Sequence, residues 1–351
     1  MGSVALHFSS ENACGANRML FPARFCSQEL EERGHQVSVT YSVQEGFDWF
    51  VFHGLPGGDT VLKLMKLKNK GTNIAWSLDD DWTTIPDWNP AKPSEDGLAQ
   101  FGIMKGISDA LICSTEHLAS TFLNTSHNSS TTFVTPNLLD LGTFPKPDGE
   151  DLGFGEYAYN LSLPIRCIWS GGDTHKGDVE ILIPVIERLL KRHGPEVVSF
   201  GFIGMAPPPK LLRDWLGKGV MWLPPMPFAQ YRKNVNITQP HVWLAPQASI
   251  PFNQSKSSLR ILEGWGLNAA VCASNWGEYS CIRNDVDGLL CETEDDWYRS
   301  LNRLITDHEY RMQMAMDGRQ RVRAQYDWNK RECRLPWLKM FGALLNDSIT
   351  E

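Results

Sequence analysis

Short apolar runs alternate with stretches of helical periodicity along this chain, and the whole rhythm occurs twice. In the first half VALHF, QVSVTY, WFVFH, NIAWS, ALIC and TTFVTPN are separated by helical stretches near 18–33, 60–69 and 97–106 and by another after ALIC. The runs are too short for buried helices and are bounded by turn formers, so they read as strands. Strands alternating with helices require a parallel sheet covered on both faces. At 145–164 the pattern stops in PKPDGEDLGFGEYAYNLSLP, rich in Pro and Gly, which reads as a connection between domains. It restarts with IRCIWSGG, a helix near 178–192, VVSFGFIG, a helix after the prolines at 207–209, VMWL, HVWLA and AAVCA. Paired helices near 294–306 and 308–324 follow, then an amphipathic helix near 328–345. The expected organisation is an α/β chain of two doubly wound domains, 1–150 and 160–327, with the segment 328–351 packing back on the first.

With 351 residues, 42% hydrophobic and 21% charged, the chain can bury two cores of ordinary size. No apolar run approaches the roughly 18 residues that span a bilayer. The opening MGSVALHFSS has neither a basic flank nor a signal-peptide core, so a cytoplasmic location is expected. The eight cysteines show no CxxC spacing and sit mostly in apolar runs, as Cys113, Cys167 and Cys272 do, which suits reduced core thiols. A net charge of −8 argues against non-specific adhesion to nucleic acid. A local basic patch is still available, because KLMKLKNK at 63–70 puts Lys63, Lys66, Lys68 and Lys70 on one short helix.

The segment FNQSKSSLRILEGWGLNAAVCASNWG at 252–277 carries the chemistry. Ser255 and Ser257 can cap a helix, Leu259, Ile261 and Leu262 give it an apolar side, and Gly264 and Gly266 loosen its end. Lys256 beside free N–H groups at a helix start is an anion site. Glu263 further along can accept from neutral hydroxyls such as those of a ribose. Phosphate at one end and hydroxyls nearby describe a nucleotide-sugar site.

This segment resembles the donor site of family 4 glycosyltransferases, and further pieces follow in that family's order. SSENACGANRMLFPARFCSQELEERGHQVSVT resembles its glycine loop, first helix and turn, and SDALICSTEHLAS with VTPNLLD resembles the end of its first domain. IWSGGDTHKGD, ASNWGEY and DGLLCETEDDW are similar to its second. The resemblance implies the GT-B fold, two Rossmann-like domains facing a cleft. It also implies retaining transfer from a nucleotide diphosphate sugar, a UDP-sugar by preference, with no metal or other cofactor required.

Residue by residue, the resemblance makes Glu263 the ribose-binding acid and leaves Ser255 where a second acid would stand. Lys176 falls at the family's diphosphate lysine, whereas Gly171 replaces its arginine, and Lys256 is the economical substitute. Gly171, Gly172 and His175 line the donor, Asp178 completes an HxxD pattern or caps the next helix, and Trp222 packs the base. Ser255 and Ser257 also face the donor, and Gly277, within the loop Asn275–Glu278, offers amides to phosphate. On the acceptor side stand Gly15 at the end of the first loop, His53 at a strand end, Arg18, and Asp80 within the triplet Asp79, Asp80, Asp81. Trp82 and Trp88 can stack on an acceptor. DDDWTTIPDWNP resembles a segment of bacteriophage-encoded glycosyltransferases. That makes 5-hydroxymethylpyrimidine in DNA the first acceptor reading, in the host cytoplasm if the chain is phage-encoded. A saccharide of cell-envelope or capsule assembly is the alternative. A non-catalytic binding module or an epimerase on the same fold stands further off.

Overall fold

The computed structural model describes residues 2–8, 12–123, 131–144 and 164–350. The stretch read as an interdomain connection lies almost wholly outside them. Two compact units emerge: Met1–Leu138 with Gln254–Ser257 and Asp327–Glu351, and Leu139–Asn253 with Ser258–Tyr326. The first unit thus ends at Leu138 rather than near 150, and it takes in four residues from the middle of the 252–277 segment.

The first unit holds β1 (Ser3–His7), β2 (Gln36–Thr40), β3 (Trp49–His53), β4 (Asn73–Leu78), β5 (Ala110–Cys113) and β6 (Thr131–Val134). They pair in the order β2-β1-β3-β4-β5-β6, all parallel. The order reverses direction between β1 and β3, so the crevice where ligands settle lies beyond their carboxyl ends. His53 is the last residue of β3. The helix Arg331–Leu344 packs on the helix Phe21–Glu32 of the same unit. Trp337 Nε1 there donates to Pro136 O at 2.9 Å, and Arg331 pairs with Glu29 at 3.0 Å.

The second unit holds β7 (Ile165–Gly171), β8 (Val198–Gly204), β9 (Val220–Leu223), β10 (Val242–Ala245), β11 (Ala270–Ser274) and β12 (Leu289–Cys291). Their order is β12-β11-β10-β7-β8-β9, again parallel throughout, with the switch between β7 and β10. Both halves are doubly wound, but their strand orders differ, which the repeating sequence rhythm does not disclose.

Seven tryptophans are fully buried, and one of them, Trp243, explains a glycine. Gly264 and Gly266 lie in the last turn of the helix Leu259–Gly266, and both are buried. A Cβ on Gly264 would stand 2.6 Å from Trp243 of β10, and one on Gly266 3.0 Å from Leu139 and Phe144. The glycines let this helix lie close on the sheet, which fixes the height of Arg260 and Glu263 along it.

Candidate functional site

At the carboxyl end of the first sheet, charges converge from several elements. The chain enters its first long helix through Ala13–Gly15, capped by Asn12, whose Oδ1 accepts from Gly15 N at 2.7 Å. Gly15 therefore lies inside a helical turn with its amide committed, and does not end a loop as the sequence suggested. A π-turn over Ala16–Leu20 follows and aims Arg18 inward. Arg18 is wholly buried, so it is neither a surface arginine nor a group that reaches ligand. Its Nη1 donates to Thr135 O at 2.5 Å, its Nη2 to Thr135 Oγ1 at 2.8 Å, and its guanidinium lies 4.6 Å from the Trp337 ring. It is a strut tying the end of β6 to the first and last helices.

Around this strut the three adjacent aspartates diverge. Asp79 is nearly buried and accepts from Asn137 Nδ2 at 3.2 Å. Burial works to raise its carboxyl, but Arg18 and His53 outweigh that and hold it below the usual range. Asp80 accepts from Lys256 Nζ at 2.8 Å, with both side chains mostly shielded. Asp81 Oδ1 accepts from Thr83 N and Oγ1 at 2.9 and 2.6 Å, closing a local turn. Among the described residues no group of three or more His, Cys, Asp or Glu is arranged to hold a metal ion. Trp82 packs partly on the core, while Trp88 is exposed.

His53 Nδ1 lies 3.2 Å from Ser77 O. A carbonyl only accepts, so Nδ1 carries the hydrogen and Nε2 keeps a lone pair. Burial brings the imidazole down to about 4, against the pull of Asp79, so the ring is neutral at pH 7.

The four residues 254–257 complete this unit's site. Ser255 is buried, its carbonyl accepts from Thr115 Oγ1 at 3.1 Å, and its own Oγ has no partner among the described residues. Ser257 Oγ accepts from Asn137 Nδ2 at 2.8 Å. Neither serine caps the following helix. Its N-cap is Ser258, and that cap makes no side-chain bond.

In the second unit Asp178 is the hub of the loops beyond β7 and β10. Of its two readings from sequence, the cap fails, for the next helix begins at Leu182, and the pairing within HxxD holds. Its Oδ1 accepts from Ala248 N at 2.9 Å and Asn253 Nδ2 at 2.7 Å, and its Oδ2 meets His175 Nδ1 at 2.7 Å. Burial pushes this carboxyl up, but His175 and the Ala248 amide more than compensate and hold it below the usual range. The HxxD and FN patterns therefore belong together because one carboxylate binds both. Lys176 is exposed on the same turn, and Gly172 is extended with open space beside it.

Glu263 is largely shielded and meets Tyr231 and Arg232, both from the helix Phe228–Thr238 that sequence periodicity did not reveal. Tyr231 O–H donates to Glu263 Oε2 at 3.2 Å and accepts from Ser170 Oγ at 3.1 Å, and Arg232 Nη1 stands 4.0 Å from Oε1. Burial raises the Glu263 carboxyl above its usual range despite Arg232, Arg260 and the Tyr231 hydroxyl. Trp222 is exposed on the edge strand β9 beside Met221 and Leu223, its indole N–H held by Gly204 O at 3.0 Å. Gly277 has φ 54°, a conformation that suits glycine. The amides of Asn275 and Trp276 are already bonded to Cys291 O and Ser274 O, each at 3.0 Å, so those two do not face phosphate.

Residues 185–335 match a family model described as glycosyl transferase-like. No curated protein matches the sequence. Among solved structures the chain is similar to HepE of Anabaena in complex with UDP-glucose, at 12% identity and TM-score 0.65, covering 99% of this chain and 100% of that one. It is similar to sucrose-phosphate synthase of Thermosynechococcus elongatus at 13% identity, TM-score 0.68 and 98% of each chain. A glycosyltransferase of Rickettsia africae matches at 12% identity, TM-score 0.64 and 99% of each chain. At such identities the likeness establishes the fold, and that fold is GT-B.

Proposed function

We propose that this glycosyltransferase of GT-B fold moves a sugar from a UDP-sugar to a hydroxyl of a saccharide acceptor, with retention at the anomeric carbon. The observation that carries the reading is Glu263. It is a shielded carboxylate beyond the switch point of a parallel sheet, beside Arg232 and within the region 185–335 that matches the glycosyl transferase-like family. A carboxylate suits ribose hydroxyls, cations suit a diphosphate, and HepE, similar in fold, is seen with UDP-glucose. Trp222 is the platform assigned to the base.

The barrier lies in charge separation as the diphosphate departs and the sugar turns oxocarbenium-like. Lys176 and other fixed donors of the second unit stabilise that developing charge, an electrostatic contribution that needs no proton inventory. The acceptor is assigned to the first unit, where the His53 Nε2 lone pair can accept from its hydroxyl and Asp80 with Lys256 can orient it.

In the first unit, Arg18 and two of the four lysines at 63–70 are engaged in ways that do not favour a DNA acceptor. Arg18 is buried and cannot neutralise a phosphate. In the helix Gly58–Asn69 and the residue after it, Lys68 is bound to Ile107 O and Asp109, and Lys70 to Glu45. Asp109 immediately precedes β5, so Lys68 lies at the amino end of the sheet, away from the ligand end. The saccharide is therefore preferred, and the phage resemblance carries no weight in that choice. Mass spectrometry after incubation with UDP-sugars and either oligosaccharides or hydroxymethylated DNA decides it. A hexose added to the saccharide supports this reading, and a hexose added only to DNA at low salt restores the other.

A further inference from the structure

Arg260 has no role in the reading above, yet its position is unusual. It lies in the first turn of the helix Leu259–Gly266, three residues before Glu263 and so on the same face. Its guanidinium lies 5.4 Å from the centre of the buried Trp169 ring, and its Nη2 is 2.9 Å from the point where a Cβ on Gly171 would stand. Gly171 ends β7 at the switch point, so the absent side chain leaves room there for the guanidinium. Arg260 Nη1 is buried without a hydrogen-bond partner among the described residues. The two carboxylates whose charges it feels are engaged elsewhere, Asp178 with three donors and Glu263 with Tyr231. A guanidinium carries five N–H donors, and leaving a buried one unmatched costs about 1–3 kcal/mol. Lys256 is a poorer candidate for binding an anion, because Asp80 already matches its ammonium.

We propose that Arg260 binds the diphosphate of the donor over Gly171, a role that rests on the UDP-sugar reading. The C1–O bond to the terminal phosphate breaks and its electron pair goes to the phosphate oxygen. The acceptor oxygen forms the new bond to C1, and its proton passes to the departing phosphate. Arg260 and the exposed Lys176 face the negative charge that grows on the leaving group, so the arginine favours the transition state over the bound donor.

Calorimetry with inorganic pyrophosphate, UDP and uridine on the native protein, Arg260→Ala and Arg260→Lys tests this. Arg260→Ala should weaken pyrophosphate and UDP about tenfold or more while uridine is unchanged, and Arg260→Lys should fall between. In turnover, kcat should drop further than donor affinity. Gly171→Ala is a second probe, because its Cβ would stand 2.9 Å from the guanidinium and 2.7 Å from the Trp169 ring and so crowd the arginine's seat without removing the charge; the same loss for pyrophosphate and UDP is expected. If Arg260→Ala fails to fold, these two variants decide. Native-like pyrophosphate and UDP binding in the variants overturns the role of Arg260 and leaves the donor reading standing. A native protein that binds pyrophosphate through Arg260 but gains nothing from uridine supports Arg260 and overturns the UDP assignment. A native protein that binds none of the three overturns both.

Discussion

Replacing Glu263 with alanine separates the contacts this carboxylate makes within the fold from the ribose binding proposed for it. Glu263 accepts from Tyr231 O–H at 3.2 Å and feels Arg232 from 4.0 Å. Removing it orphans the buried tyrosine hydrogen, a loss of roughly 1–3 kcal/mol, but it also removes a carboxyl that burial disfavours. The net change in stability should therefore be small. Binding has no such offset. A carboxylate that accepts from ribose hydroxyls contributes about 1.5–3 kcal/mol per charge-assisted bond, so Glu263→Ala should raise the Kd for UDP roughly 10- to 150-fold. Titration calorimetry with UDP and with its 2′,3′-dideoxy analogue closes a double-mutant cycle. The variant should lose affinity for UDP and lose almost none for the analogue. Because the folded carboxyl is raised, its share of stability is largest at low pH and declines as pH rises through the raised value. Ribose binding, which needs the charged form, strengthens over the same interval and should stay flat in Glu263→Gln. Equal losses for UDP and the dideoxy analogue would falsify the ribose assignment.

Three further outcomes follow from particular contacts. His53 titrates near 4 when folded and near 6.5 when unfolded, so the unfolded chain takes up the proton first; native stability should fall by roughly 3 kcal/mol at most as pH drops through that window. Denaturant midpoints should show a shallower acid loss in His53→Asn, and an identical slope would remove the histidine from the account. Asp80→Asn and Lys256→Ala should couple by roughly 1 kcal/mol in a stability cycle, since the pair is mostly shielded at 2.8 Å, and additive losses would show that the ion pair is idle. Gly264→Ala drives a Cβ to 2.6 Å from Trp243 and should cost about 1–3 kcal/mol; an unchanged melting temperature would mean that helix and sheet part without strain.

The alternation of apolar runs was enough to place most strands, because parallel strands buried on both faces leave a continuous hydrophobic signature, as in Val242–Ala245 and Ala270–Ser274. It missed β12, where Leu289–Cys291 is too short to stand out, and the helix Phe228–Thr238, whose Asn and Thr residues blur its apolar face. The second omission hid Tyr231 and Arg232, the partners of Glu263. The two topologies were equally hidden, because strand order depends on which runs pair and not on their composition. Site residues fared according to their chemistry. Glu263 stood out as the one acid on a short amphipathic helix, but Arg260 on the same helix had no signature apart from the Gly171 and Trp169 that surround it. Arg18 and Asp178 each admitted two readings from sequence; burial and hydrogen bonds give a third for Arg18, and for Asp178 they favour the HxxD pairing over the cap and add Ala248 and Asn253.

The central claim, retaining transfer from a UDP-sugar, is tested most directly by following the reaction with UDP-glucose and an oligosaccharide acceptor by proton NMR. UDP should accumulate in step with a glucosylated product whose new anomeric proton shows the small coupling of an α-linkage, as in the donor. A product with the large coupling of a β-linkage would contradict retention, and no UDP release with any saccharide acceptor or UDP-sugar would contradict the claim itself.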